Sequence, residues 1–270
     1  MQPFESGLPL PGGAAKICAM TQLLIELCVE GIDGLVAAQE GGADRVELCA
    51  SLLEGGLTPS MGTVRQALAV ATIPFHVIVR PRGGDFLYSE LEFRSMLDDV
   101  RALRELGVAG IVIGCLTPEG RIDESRMREL VEAAGPLAVT CHRAFDMTRD
   151  PEEAIEALVR CGVGRVLTSG QRDTGILGLE ILKRTVRAAR GRIKVMACGA
   201  LDEASIATVL TQSGADELHF SAPITIDGGM SFRNAEVGMG GTDLDREYQL
   251  TLTDPDRVRR TIAAARRAAS

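Results

Sequence analysis

The sequence predicts an α/β fold, a single-domain (β/α)8 TIM barrel, on three observations. Strand-like and helix-like segments alternate eight times along the chain, and this alternation indicates a parallel sheet. A closed barrel of this kind needs about 250 residues, and the chain has 270. Aromatic residues make up 3% of the sequence and tryptophan is absent, so the predicted core is aliphatic, as in parallel sheets covered by helices. An open, doubly wound parallel sheet is the alternative.

The predicted strands are short runs rich in aliphatic and β-branched residues. The third strand ends in polar Arg80, where Pro81 removes a backbone donor and stops the ladder. In chain order, the predicted strands are Leu23–Val29, Arg45–Cys49, Phe75–Arg80, Gly110–Cys115, Leu137–His142, Arg165–Ser169, Ile193–Cys198 and Glu217–Ser221.

The predicted helices follow the strands and carry start and stop signals. Asp150 before Pro151, and Asp254 before Pro255, each supply an N-cap and a favourable first helical residue. Glycine, as at Gly107, closes several helices. In chain order, the predicted helices are Ile32–Glu40, Pro59–Ala71, Glu90–Leu106, a helix from the cap Asp123 to Ala134, Pro151–Cys161, Leu179–Arg190, a helix from the cap Asp202 to Gln212, and, after a long connection over Ala222–Thr253, the helix that follows Asp254.

The domain organisation follows from the even composition of most of the chain. No linker or composition shift interrupts residues 21–270, which are predicted to form one barrel domain. Residues 1–20 contain three prolines and three glycines and are predicted to be a flexible leader. A misassigned start of the chain is the alternative explanation.

Charge and cysteine content exclude several classes of protein. The net charge is −8 and the sequence contains no basic cluster, so we expect no nucleic-acid partner. The seven cysteines lack close-spaced pairs and their number is odd, which indicates a reduced, cytoplasmic protein rather than a disulfide scaffold. No apolar run approaches the roughly 20 residues of a membrane helix. A homo-oligomer is a further expectation, because the outer helices of barrels often pair.

Polar side chains are predicted on the inner face of five strands. Side chains alternate inward and outward along a barrel strand. Isolated buried charges cost several kcal/mol each, and barrel enzymes carry their chemistry at the C-terminal ends of the strands. An ion-pair network in which Glu26 and Glu47 satisfy Arg80 is the structural alternative. The predicted inward residues are Glu26, Cys28, Glu47, Cys49, His76, Ile78, Arg80, Thr140, His142, Glu217, His219 and Ser221.

These residues, together with the loops that follow the strands, suggest an active site for a small anionic or hydroxylated metabolite. Glu26 or Glu47 is a candidate general base, and His142 a candidate proton donor or acceptor. Arginines can hold an anion with two parallel hydrogen bonds, and serine and glycine turns can offer backbone N–H groups. The reaction class would be proton transfer, isomerisation or lyase chemistry. The candidate anion-binding residues are Arg80, Arg82, Asp85, Arg143, Asp146, Ser169, Gly199, His219 and Ser221.

Two cysteines form a candidate metal site. Cys28 and Cys49 lie on neighbouring predicted strands, each two residues beyond an inward glutamate. Neighbouring strands are about 4.8 Å apart, and a pair of thiolates suits a soft ion such as Cu(I). The alternative is that both are small buried hydrophobic residues, the commonest role of a free cysteine.

Several segments closely resemble the CutC family, which is named for copper homeostasis. They are ADRVELC (43–49), EGGLTPS (54–60), RPRGGDFLYS (80–89), HRAFDM (142–147), RVLTSG (165–170) and MSFRN (230–234). The resemblance covers about residues 23–260. It implies a TIM barrel, a cytoplasmic location and a role in copper tolerance with Cu(I) binding, and it matches Cys28 and Cys49 to the positions proposed for copper in animal relatives. Cys141 and Cys198 depart from the phenylalanine and the small residue of the family.

Overall fold

The structure, a computed structural model, is a closed barrel of eight parallel strands in sequential order, with helices between the strands. It describes residues 23–234, 236–239 and 246–269. The predicted α/β barrel is therefore confirmed, and the open sheet is excluded because the first strand pairs with the eighth as well as with the second. The predicted leader, residues 1–20, lies outside the described residues, and the domain limits and the homo-oligomer stay predictions.

The eight barrel strands are mostly shorter than predicted. Pairing stops before the polar residue at several strand ends, so that Arg80, His142 and Ser221 follow their strands instead of belonging to them. The strands are β1 Leu24–Glu30, β2 Arg45–Cys49, β3 Phe75–Ile78, β4 Gly110–Ile113, β5 Ala138–Cys141, β6 Arg165–Thr168, β7 Lys194–Ala197 and β8 Glu217–Phe220.

The helices lie close to their predicted positions. Ser89 caps the helix Glu90–Leu106 in a reciprocal capping box with Glu92, and Asp150 caps the helix Pro151–Arg160 through the N–H groups of Glu152 and Glu153. The helices are α1 Gly31–Gly41, α2 Met61–Val70, α3 Glu90–Leu106, α4 Glu124–Ala134, α5 Pro151–Arg160, α6 Leu179–Ala189, α7 Ile206–Ser213 and α8 Pro255–Ala269.

One segment contains structure that was not predicted, and one predicted helix cap was wrong. The connection before α8 contains an antiparallel hairpin, β9 Pro223–Asp227 with β10 Gln249–Thr253. Its apolar residues alternate in the sequence, which is the pattern of a strand exposed on one side. Asp202 does not cap α7 directly. Its carboxylate accepts from the backbone N–H of Ala204 and Ser205 and closes the turn that leads into the helix.

The core separates into two layers, as the alternation of side chains predicts. Outward residues of the strands, such as Ile25 and Leu27, are fully buried between barrel and helices. The inward residues are polar at the bottom of the barrel, whereas Cys49, Ile78 and Val112 form a small apolar cluster nearer its mouth. Buried polar groups must be paired to avoid a large desolvation cost, so the arrangement of the inward charges determines what the site can be.

The helices of the described residues lack the combination of length and apolar character that crossing a membrane requires.

Candidate functional site

A cavity of about 480 Å³ opens at the C-terminal ends of the strands. This is the end of the barrel where enzymes of this fold carry their chemistry. Nine of the predicted site residues line it, namely Cys28, Glu47, Arg80, His142, Arg143, Asp146, Gly199, His219 and Ser221. The other five are not part of its wall, namely Glu26, Cys49, Arg82, Asp85 and Ser169.

The floor beneath the cavity is an ion network centred on Arg45. This arginine donates from Nε to Glu26, and from Nη2 to Glu217 Oε2 at 2.7 Å. Arg165 makes a second, two-pronged pair with Glu217, with distances of 2.6 and 2.9 Å. The ion-pair network considered from the sequence had Arg80 as the cation that pairs with the buried glutamates. Arg45 takes it instead, because it points inward from the first residue of β2, beside Glu26 of β1.

The two carboxylates of the floor remain ionised. Burial acts to raise the pKa of Glu217, but hydrogen bonds and charge from Arg165 and Arg45 outweigh it, and the pKa is lowered. Burial likewise opposes ionisation of Glu26, and the hydrogen bond with His219 and the charge of Arg45 lower its pKa. Glu26 is therefore an anion held between two partners, which suits it to orient other groups.

Glu26 connects the floor to the cavity wall through His219. Its Oε1 lies 2.9 Å from His219 Nδ1, so the other ring nitrogen of His219 is available to the cavity. One ligand atom each from Cys28, Glu47 and His219 lie within 4.8 Å of one another. The sulfurs of Cys28 and Cys49 are 3.7 Å apart. The predicted pair of thiols is thus close enough to share one ion, and a carboxylate-supported histidine stands beside it.

The electrostatics of this group favour a thiolate beside an imidazolium. The hydrogen bond with Cys49, followed by interactions with His219, lowers the pKa of Cys28 to about 5 against the effect of burial. Burial acts to lower the pKa of His219, but the hydrogen bonds with Cys28 and Glu26 outweigh it and raise the pKa to about 10. Cys28 therefore carries negative charge at neutral pH.

The negative charge of Cys28 raises the pKa values of two neighbouring groups, Glu47 and Cys49. Burial and the negative charge of Cys28 raise the pKa of Glu47 well above its ordinary value. The hydrogen bond with Cys28 and burial raise the pKa of Cys49 in the same direction. The group consequently favours one thiolate and one thiol, and it shifts Glu47 toward its protonated form, in which the carboxyl can donate a proton or hydrogen bond.

Arg80 is buried at the cavity wall and is held by main-chain oxygens. Its Nη1 donates to the carbonyls of Glu54 at 2.5 Å and Gly56 at 3.0 Å, and its Nη2 donates to that of Gly84 at 3.0 Å. It forms no ion pair with a carboxylate of the described residues. Its guanidinium lies 5.2 Å from the ring centre of Phe86. The cation is therefore fixed in place by three loop carbonyls but keeps its full charge.

His142 also contacts the Phe86 ring. The centres of the Phe86 and His142 rings are 5.0 Å apart. Burial and the charge of Arg80 lower the pKa of His142 to about 3, so the ring is neutral at physiological pH. Gly114 makes room for it, because a Cβ at that position would lie 2.6 Å from His142 Cε1.

Arg82 and Asp85 form a separate surface contact. Arg82 pairs with Asp85 at 3.1 Å and with Glu92 of α3 at 2.7 Å. Two arginines separated by one proline therefore have different roles, since Arg80 lines the cavity and Arg82 fastens the loop to the next helix.

Asp146 organises the loop after β6. Its carboxylate accepts hydrogen bonds from Arg143, Thr168, Gln171 and both the backbone and hydroxyl of Ser169. Ser169 is buried beneath this loop rather than exposed in the cavity. Arg143 is neutralised by Asp146 at 2.7 Å, which distinguishes it from Arg80.

Sequence reasoning missed Arg45, Arg165 and Phe86. Alternation along β2 already put Arg45 on the same face as Glu47, and this signal was available. Phe86 lies in an irregular loop, where no periodicity indicates the direction of a side chain. The pairing partners across the barrel depend on strand stagger, which sequence spacing does not define.

Comparison with known proteins gives consistent matches over most of the chain. The CutC family model matches residues 23–224. A CutC family protein of Mesorhizobium japonicum is 68% identical over 243 residues, covering 90% of this chain and 94% of the relative. The human copper homeostasis protein cutC homolog is 44% identical over 257 residues, covering 95% and 93%. A crystal structure of CutC from Streptococcus agalactiae matches with a TM-score of 0.70 at 32% identity, covering 74% of this chain and 98% of that one.

The floor network predicts a pH-dependent loss of stability in Glu217→Gln. The variant leaves Arg45 and Arg165 without a carboxylate, which should cost about 3–5 kcal/mol of unfolding free energy at pH 7. Because the folded-state pKa of Glu217 lies below its ordinary value of 4.5, this contribution is present above that pH and lost as the pH falls below it. Urea unfolding at pH 7 and pH 3.5 measures the difference.

The matched control is Glu156→Gln, which removes an exposed carboxylate paired with Arg192. Exposed pairs contribute little, so its stability should remain near that of the wild type. A gap between Glu217→Gln and wild type that stays constant at both pH values would show that Glu217 is not ionised in the folded protein.

Proposed function

The chain belongs to the CutC family, and we propose that it serves copper homeostasis by binding Cu(I) as its cargo at the cavity wall. Cys28 and Cys49 would supply the thiolates and His219 a nitrogen. The observation that carries this proposal is the 3.7 Å separation of the two sulfurs beside a histidine supported by a carboxylate. Soft thiolate ligands favour Cu(I) over hard divalent ions.

The residues present fit such an ion. Metal-binding histidines usually donate the second ring N–H to a carboxylate, which fixes the direction of the ligand nitrogen. Glu26 fills this position, with its Oε1 2.9 Å from His219 Nδ1. Binding would displace the protons of Cys49 and His219, so that uptake of the ion should release protons.

A cytoplasmic location is part of the proposal. All six cysteines of the described residues are free thiols, and Cys28 and Cys49 must stay reduced to bind Cu(I). The reducing cytoplasm provides this condition.

A second candidate function is supported by the same group of atoms. Glu26, His219 and Cys28 follow the order orienter, base and nucleophile that recurs in covalent catalysis. Glu47 would be a proton donor. The chain would then be a barrel enzyme that acts on a small anionic or hydroxylated metabolite by acid–base chemistry. The low pKa of Cys28 favours this candidate, since a copper carrier does not require an activated thiol in its free state.

Anaerobic Cu(I) titration against a competing chelator tests the first candidate. Wild type should bind one ion. Loss of an outer-shell partner of a metal ligand typically weakens metal binding by about 10–100-fold. Cys28→Ser and Cys49→Ser each remove a direct ligand, so each should weaken Cu(I) binding by more than that. Cys161→Ala is the control, because its sulfur lies 3.7 Å from the carbonyl of Glu124, away from the cavity. Equal affinity in wild type and both serine variants would contradict Cu(I) binding at this pair.

Alkylation of the metal-free protein tests the second candidate. Because the pKa of Cys28 is lowered to about 5, its thiolate fraction should stay nearly constant from pH 8 to about pH 6. Its rate with iodoacetamide, followed by peptide mass spectrometry, should therefore change little over this range. The thiol of Cys161, whose pKa burial raises to about 11, is the internal control. A tenfold fall per pH unit at Cys28 would show an ordinary thiol.

A further inference from the structure

Two hydrogen-bond donors on residues of the cavity wall have no acceptor. Arg80 Nε and His142 Nε2 are buried, and neither makes a hydrogen bond within the described residues. The Tyr88 hydroxyl, which also lacks a partner, lies near the Arg80 guanidinium. Both residues line the cavity that Cys28 and His219 also line. Leaving a buried donor unpaired costs about 1–3 kcal/mol and more for a charged group, so two such donors at one cavity indicate a ligand with acceptors.

Arg80 has two N–H groups that the loop carbonyls do not use. Arginine has five N–H groups, and three of them are used by the carbonyls of Glu54, Gly56 and Gly84. The remaining two are on Nε and Nη2, which are adjacent. An edge with two parallel donors matches the two oxygens of a carboxylate or phosphate.

The charge of Arg80 supports the same ligand class. Arg143 is neutralised by Asp146 and Arg82 by Glu92 and Asp85. Arg80 has no such carboxylate partner among the described residues, although it is 6% exposed. A buried cation without a counterion is costly, and an anion in the cavity would supply the missing charge.

The tautomer of His142 makes it a donor as well. Its Nδ1 accepts from the backbone N–H of Ala144 at 3.1 Å, so the hydrogen of the neutral ring is on Nε2. The Phe86 ring contacts both residues, with its centre 5.2 Å from the Arg80 guanidinium and 5.0 Å from the centre of the His142 ring. An apolar ring beside the two donors lowers the local polarity, which strengthens the electrostatic attraction of an anion.

We propose that Arg80 and His142 bind the oxyanion, a carboxylate or a phosphate, of a small metabolite that occupies the cavity. The volume of about 480 Å³ lies in the range of small-molecule sites. This deepens the enzyme candidate by naming the charged group of its ligand. The binding itself requires neither turnover nor Cu(I).

Calorimetric titration of the metal-free full-length chain tests this site. The probes are inorganic phosphate, glycolate and, as a neutral analogue, glycolamide. At least one of the two oxyanions should bind, and glycolamide should bind at least about tenfold more weakly, because it lacks the charge that Arg80 attracts. Binding of phosphate alone or of glycolate alone identifies which oxyanion the ligand carries.

Matched variants assign the binding to the two donors. Arg80→Gln and His142→Gln should each weaken the bound oxyanion by at least about tenfold, because each removes a charge-assisted hydrogen bond and Arg80→Gln also removes the positive charge. Arg82→Gln is the control, since this arginine is paired outside the cavity. The titration uses metal-free protein and measures binding without turnover, so that failure of the copper or nucleophile proposal is distinguishable from failure of this one.

Three results would overturn the proposal. They are the absence of binding by both oxyanions, equal binding of glycolamide, and an Arg82→Gln variant that loses as much affinity as His142→Gln. If Arg80→Gln does not fold, because Arg80 also holds three loop carbonyls, the comparison of His142→Gln with Arg82→Gln decides the question alone.

Discussion

The pairing of Arg45 with Glu26 and Glu217 inside the barrel is the interaction on which the site depends. Two carboxylates buried in a parallel barrel would be too costly without a cation between them. Arg45, supported by Arg165, makes them stable as anions. Glu26 can then use its second oxygen to hold His219, and His219 in turn stabilises the thiolate of Cys28. The ion pairs beneath the cavity thus determine the charge of the residues that line it.

The mouth contains two chemically different parts on one cavity. One part is soft and anionic, with a thiolate, a second thiol and a supported histidine. The other is hard and cationic, with Arg80 and the donor His142 beside Phe86. A metal carrier needs the first part and has no evident use for the second, whereas an enzyme that binds an anionic metabolite would use both. This division explains why the family name and the residue chemistry point to different activities.

The sequence predicts the fold and the inner face of the barrel, because both follow from periodicity. Alternation correctly assigns Glu26, Cys28 and His219 to the interior. It does not show which inward side chains meet, since strand stagger decides that, and Arg80 was therefore expected where Arg45 lies. Nor does it separate Arg80 from Arg82, because the direction of a side chain in an irregular loop depends on its carbonyl partners rather than on spacing.

The claim that Glu26 orients His219 beside a Cu(I) site is tested most directly by a crystal structure. The protein would be loaded anaerobically with one equivalent of Cu(I), and anomalous data would be collected at the copper edge. We expect one copper peak bonded to the sulfurs of Cys28 and Cys49 and facing His219, with the Glu26–His219 hydrogen bond retained. A copper peak away from this pair, or His219 turned from Glu26 in the loaded protein, would contradict it.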